Sequence, residues 1–276
     1  MELRQLRYFV AVAEELHFRR AAERLLISTP TLSQQIKAVE REIGGPLLVR
    51  RPDGVSLTAA GEVLLRTART VLAASDEAIR ETRQAAGVAE PVLRFGLLNG
   101  VPPRLTQRVT RRFEGRLVMT SGTTAELARL LERGQLDLAM LRAPVDLPAG
   151  LKSMHVADEE LGVLMSTRHA LAGSGPITVA ELAGHEMILY ARESAPRLHE
   201  SILAALDGVV LSSSAMGHAQ MLAVLPLRPD VFGLSSDRAA GVQGLVWRPI
   251  EGRPVVIEYI AAWPGRHSRA AALVGG

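Results

Sequence analysis

The 276-residue chain has no cysteine, which excludes a disulfide framework and a thiolate metal site and suits a reducing cytoplasm. Lysine is nearly absent too: Lys37 and Lys152 stand against 30 arginines. Arginine favours bidentate and phosphate contacts, but a bias spread over the whole chain equally reflects composition and assigns no partner. No stretch approaches the roughly 20 uncharged apolar residues of a membrane span. No apolar run follows Arg4 and Arg7, so no signal peptide is expected and the chain reads as cytoplasmic, without a membrane partner. Surplus charge is also missing. The formal net charge is +3, and the first 89 residues carry 13 basic against 11 acidic side chains. Bulk charge therefore gives no sign of nucleic acid, and any such case rests on placement. Gly-x-Ser-x-Gly, His-Glu-x-x-His, P-loop and Gly-x-Gly-x-x-Gly signatures are all lacking. The seven histidines are scattered without metal-ligand spacing. An enzyme, a metal site and a cofactor are accordingly not expected.

What is there is a globular composition, 47% apolar and 22% charged, with length for two or three domains. Leu3, Leu6, Phe9, Val10, Ala13 and Leu16 recur at helical spacing. Ala21, Ala22, Leu25 and Leu26 mark a second helix whose small residues permit close approach. Ser28 can cap a third helix, Pro30 fits its first turn, and Gly44-Gly45-Pro46 ends it. Leu32, Ile36, Val39 and Ile43 predict its buried face. Leu47–Leu57 reads as a β-hairpin around Pro52-Asp53-Gly54, with basic Arg50 and Arg51 beside the tip. Thr58 then caps a long helix to about Ala86. Leu65, Leu72, Ile79 and Ala86 fall seven apart, with Ala68, Ser75 and Thr82 offset by three. That narrow seam predicts pairing with a second chain, the alternative being a helix lying on its own domain.

After Gly87–Pro91 the rhythm changes to alternating strands and helices. This predicts a parallel sheet with helices on both faces, then a second such set from about residue 161. Val255–Trp263 reads as a strand able to return to the first sheet. The expected division is 1–57, 58–87 and 88–276, the last split into a lobe of 91–160 plus 262–276 and a lobe of 161–261.

The third helix offers Pro30, Thr31, Ser33, Gln34, Lys37 and Arg41 opposite its apolar stripe. Gln34 suits the N7 and N6 groups of adenine, and Ser33 or Thr31 a base edge or a phosphate. Lys37 and Arg41 suit phosphates, Arg50 and Arg51 suit the backbone or a narrow minor groove, and the amides after Ser28 and Thr29 form a phosphate site. Any one of these alone is an ordinary solvated helix face. Together with the basic hairpin and the seam helix they point to DNA.

Residues 2–61 closely resemble the LysR-type transcriptional regulators. The resemblance is carried by Glu2-Leu3-Arg4-Gln5-Leu6-Arg7-Tyr8-Phe9, Ala21-Ala22-Glu23-Arg24-Leu25, Ser28-Thr29-Pro30-Thr31-Leu32-Ser33-Gln34-Gln35-Ile36 and Leu57-Thr58-Ala59-Ala60-Gly61. It implies a multidomain protein: a winged helix-turn-helix, a long dimerising linker helix, and an α/β effector domain of two lobes like a type 2 periplasmic binding protein. It further implies Thr31, Ser33, Gln34 and Lys37 facing the major groove of promoter DNA, a homodimer built into a homotetramer, and RNA polymerase as a further partner.

In the second half, Ser121-Gly122-Thr123-Thr124 places two hydroxyls between a strand and a helix start. These suit a carboxylate, or equally an ordinary helix cap. Asn99 and Gly100 follow the first strand. Arg142 offers positive charge or a structural ion pair, and Ser194 and Pro196 open a helix of the second lobe. Ser121–Thr124, Leu136–Arg142 and Pro196–His199 are similar to LysR-type regulators of aromatic-compound catabolism. That likeness implies a small carboxylated effector, muconate- or benzoate-like, held near Asn99, Thr123, Thr124, Ser194 and Pro196. An effector-independent architectural DNA binder, a solute-binding protein and an α/β enzyme are the other readings.

Overall fold

The computed structural model describes residues 1–51, 54–265 and 268–275. It divides into two compact units, taken in turn: Met1–Glu90 forms most of the first, and Pro91–Leu131 with the chain from Leu136 onward forms the second.

The first unit holds α1 (Leu3–Glu15), α2 (Phe18–Leu25), α3 (Thr29–Ile43), β1 (Leu48–Arg51), β2 (Gly54–Leu57) and α4 (Ala59–Ala85). Its core is Phe9, Val12, Ala21, Ala22, Leu32, Ile36 and Val39, each nearly or fully buried. One expected core position, Ile43, falls outside it, and Leu26, expected within α2, is instead its C-cap. Ile43 is 48% exposed, because the last turn of α3, Arg41–Gly44, is open to solvent on every side. Leu26 is 92% exposed, because the chain leaves α2 there in the left-handed conformation at φ 55°.

The hairpin is fixed to the helices by backbone and carboxylate contacts. Leu16 ends α1 at φ 49°, and its carbonyl accepts from the Val55 amide at 3.0 Å. A side chain at Gly54 would lie 2.7 Å from that carbonyl, so glycine is required. Glu40 of α3 accepts from the amides of Leu47 and Leu48 at 2.9 and 3.3 Å, tying α3 to the start of β1. Thr58 accepts from the Gly61 amide at 3.0 Å, capping α4, and donates to the Pro46 carbonyl.

Glu14 of α1 takes Arg69 of α4 at 2.9 Å and Arg24 of α2 at 3.0 Å. Burial would raise its pKa, but these two guanidiniums outweigh burial and hold it below the ordinary value. Leu64 and Ala68 of α4 are buried in the unit's core. Beyond them nothing on α4 is buried: Leu72 is half-covered, and Val71 and Ile79 are 40% and 50% exposed.

The second unit carries two five-stranded sheets. The first has the order β4-β3-β5-β12-β6, from β3 (Val92–Leu98), β4 (Arg116–Gly122), β5 (Leu138–Ala143), β6 (Leu151–Glu160) and β12 (Val256–Pro264). The second has the order β11-β7-β10-β8-β9, from β7 (Gly162–Ser166), β8 (Glu186–Ile188), β9 (Val210–Leu211), β10 (Val231–Ser235) and β11 (Leu245–Arg248). The helices are α5 (Pro103–Arg112), α6 (Thr124–Glu132), α7 (Val179–Leu182), α8 (Pro196–Ala205), α9 (His218–Val224) and α10 (Ser268–Val274).

The sheets are mixed rather than parallel. β3 runs parallel to β4 and β5, while β12 runs antiparallel to β5 and β6. In the second sheet β7 runs antiparallel to β10 and β11. The helical crossovers that parallel pairing needs are absent where the chain changes sheet, since only Leu161 separates β6 from β7. β12 lies in the first sheet over its whole length, including Val256–Ala261, which the sequence reading places in the second lobe. One buried cluster joins the lobes, with Phe95, Met140 and Tyr259 from the first and Met165 and Phe232 from the second.

A Cβ on Gly61 would sit 2.1 Å from the Leu47 carbonyl oxygen, a clash with backbone. Gly61→Ala is therefore expected to destabilise the first unit by about 1–3 kcal/mol, seen as a lower melting temperature in calorimetry. An unchanged transition would refute the close approach.

Candidate functional site

Burial of Leu32, Ile36 and Val39 turns the opposite face of α3 outward. Thr31, Gln34, Lys37 and Arg41 are exposed on it, with Ser33 half-buried at its edge. Ser28 caps the helix, accepting from the Thr31 amide at 3.2 Å, and its hydroxyl lies 2.7 Å from that of Thr31. Ser28 and Pro30 are exposed and Thr29 half-buried at this end, where amides and helix dipole favour an anion. Gln34, Lys37, Glu40, Arg41, Gly44 and Pro46 line an open groove along the far half of α3. Arg41 bends back to donate to the Lys37 carbonyl at 3.3 Å. On the hairpin, Arg51 is exposed; the Arg50 side chain and the tip residues Pro52 and Asp53 lie outside the described residues.

In the second unit the ends of β4, β3 and β5 lie side by side, and the chain leaving them lies at the junction of the two lobes, where Arg238 of the second reaches the Gly100 carbonyl. Asn99, Gly100, Thr124 and Arg142 come together there. Arg142 donates from Nη2 to the Asn99 carbonyl at 3.0 Å, and its amide lies 3.4 Å from the Thr124 hydroxyl. Gly100 has φ 80°, and a side chain there would lie 3.4 Å from Arg142 Nη2.

Thr123 is occupied otherwise. Its hydroxyl accepts from the Glu126 amide at 3.2 Å, and its own amide donates to Glu126 Oε2 at 2.8 Å. Those contacts, the backbone one first, hold the Glu126 carboxyl below its ordinary pKa. The start of α6 thus carries its own carboxylate. Ser194 lies on the short turn Arg192–Ser194 and Pro196 is the first residue of α8. That helix packs on β5, and Arg197 forms a bidentate pair with Asp146 of the first lobe at 2.9 Å.

Six residues not assigned to the site from sequence also meet at this junction: Glu159, Tyr190, His199, His218, Arg238 and Tyr259. Arg142 stacks over the Tyr259 ring at 5.6 Å. Tyr190 meets His199 edge to face at 5.8 Å. Arg142 Nε, Tyr190 Oη and His199 Nδ1 are buried without a hydrogen-bond partner, an arrangement that is costly unless something polar fills the space. Burial raises the Tyr190 pKa against the pull of Arg142. His218 contacts the Ser235 hydroxyl at 3.0 Å. Although it sits on the rim, its pKa is lowered, by lost hydration first and then by Arg142 and Arg238. The one available sequence signal is scarcity: of three tyrosines in the chain, one lies under Arg142 and another feels its charge. The others lie 17 to 96 positions from it in sequence, and no local motif joins them.

Thr123→Ala is expected to remove the α6 cap and cost about 1 kcal/mol of stability in this unit. Denaturant unfolding reads it; loss of ligand response without any loss of stability would instead make Thr123 a ligand contact.

The chain matches the family described as bacterial regulatory helix-turn-helix protein, lysR family, over residues 3–62, and the LysR substrate binding domain over residues 87–274. It is similar to the HTH-type transcriptional regulator BudR of Raoultella terrigena, 32% identical over 95% of this chain and 94% of BudR. It is also similar to the Hca operon transcriptional activator HcaR of Escherichia coli K12, 32% identical over 95% of this chain and 92% of HcaR. The crystal structure of CbnR, a LysR family transcriptional regulator, shares its fold, with a TM-score of 0.66 at 23% identity over 99% of this chain and 98% of that one. Among the described residues no helix is long and apolar enough to cross a membrane.

Proposed function

The chain belongs to the LysR family, as a DNA-binding transcriptional regulator with a substrate-binding domain and not an enzyme, and from that premise we propose how it reads DNA and what switches it. Residues 1–57 read a promoter, residues 58–87 pair two chains, and residues 88–276 take the effector between their lobes. The observation that carries the DNA reading is the polar face of α3, left exposed by the burial of Leu32, Ile36 and Val39. Gln34 and Ser33 select bases, while Lys37, Arg41, Arg50, Arg51 and the amides following Ser28 hold phosphates. The uncovered half of α4, with Val71 and Ile79 exposed, supports pairing along the linker. Two such pairs form a tetramer on an interrupted palindrome, within reach of RNA polymerase.

The effector is a small carboxylated, aromatic-derived acid. Its charge goes to Arg142, with Asn99, Gly100 and Thr124 shaping the rim, Tyr190 and His199 offering unused polar atoms, and Ser194 and Pro196 bounding the far lobe. Its binding shifts the lobes between two arrangements and so changes the bend imposed on DNA.

Gln34→Ala is expected to cost about 1–3 kcal/mol on the cognate site and to relax sequence preference. Equal losses on cognate and random DNA, read by fluorescence anisotropy, would refute base reading. Arg142→Ala is expected to abolish footprint changes caused by benzoate while leaving basal DNA affinity intact. A variant that still responds would remove Arg142 from the effector site.

A further inference from the structure

The junction of the two lobes holds two guanidiniums in unlike states. Arg238, from the second lobe, pairs with the Glu159 carboxylate at 2.8 Å and also donates to the Gly100 carbonyl at 3.1 Å. Glu159 stands at the end of β6, where the chain crosses between lobes. Its side chain is only 9% exposed, and it takes a further hydrogen bond from the Tyr259 hydroxyl at 2.8 Å. Arg142 lies over that same tyrosine and donates to the neighbouring carbonyl, Asn99. Among the described residues it has no carboxylate partner, and its Nε is buried and unused. Successive carbonyls of one turn thus hold two arginines, of which one is neutralised from within. With His218 neutral, this cluster of Arg142, Arg238 and Glu159 carries a net charge of +1.

We propose that Glu159 is a specificity determinant: it fills the second anion seat of the cleft, so that the site accepts a monocarboxylate at Arg142 and rejects a dicarboxylate. One carboxylate brings the cluster to zero and pairs the Arg142 guanidinium, whose Nε is buried and unused. A second carboxylate on the same small ligand would have to face Glu159 inside the protein, where like charges are costly, or displace it from both Arg238 and Tyr259. The inference rests on the reading of the cleft as a carboxylate site and narrows it to one charge class.

The test is titration of the full-length chain by calorimetry against matched pairs, benzoate with phthalate and crotonate with muconate. The wild type is expected to bind the monocarboxylates and to bind their partners at least about tenfold more weakly. In Glu159→Gln, which keeps the shape and an acceptor for Tyr259, that ratio is expected to collapse or invert. Arg238→Gln, the second variant should the first fail to fold, leaves Glu159 uncompensated and is expected to weaken monocarboxylate binding about tenfold. Wild-type binding of both classes alike, or a ratio unmoved in Glu159→Gln with monocarboxylates still bound, would overturn the role of Glu159 while leaving the carboxylate reading in place. Failure of both classes to bind wild type and variants would overturn the carboxylate reading itself, and this inference with it.

Discussion

A helix lying on a domain buries one stripe of its surface, and the first unit is organised by which stripe α3 buries. Leu32, Ile36 and Val39 enter the core with Phe9 and Val12, leaving Thr31, Gln34, Lys37 and Arg41 outside. Everything else in the unit keeps that orientation rigid. Glu40 pins the start of β1 to α3, Leu16 anchors β2 to the end of α1, and Gly61 lets α4 close against Leu47. Glu14 draws α2 and α4 onto α1 through two arginines. Precision of this kind matters for reading bases, since a base-edge hydrogen bond tolerates little displacement.

The second unit meets a different constraint, the cost of positive charge under partial burial. The two sheets meet over a shared apolar cluster, and the polar residues left at their junction must satisfy one another or a guest. Arg197 finds Asp146, and Arg238 finds Glu159. Both pairs bridge the lobes, so the arrangement in which they form is held by the chain itself. Among the described residues Arg142 is the member without a carboxylate partner, held by a carbonyl and the Tyr259 ring. A switch needs such an imbalance: a ligand moves an equilibrium only by interacting differently with its two states.

The start of α6 shows which of two readings of a local motif the structure favours for Thr123, the helix cap. Two threonines at a helix start suit an anion or a cap alike; there Glu126 of the same helix supplies the anion and Thr123 the cap. Capping from within needs only three residues of separation, which makes it the cheaper arrangement and the commoner one.

Within residues 1–57 the sequence by itself determined nearly everything: three helices, the cap at Ser28, the hairpin and the polar face of α3. Local rules suffice there, because helical periodicity and capping act within a few positions of each residue. It erred where a pattern ran past its neighbours, at Ile43, since spacing carries no information on where a packing partner ends. In the second half, alternation was enough to announce two α/β lobes. Tertiary structure alone decided that the sheets are mixed and that β12 belongs wholly to the first. It alone also gathered Arg142, Glu159, Tyr190, His199, His218, Arg238 and Tyr259 into one cleft. Those residues lie as far as 117 positions apart, and only the crossing of the chain between two sheets brings them within reach of one another.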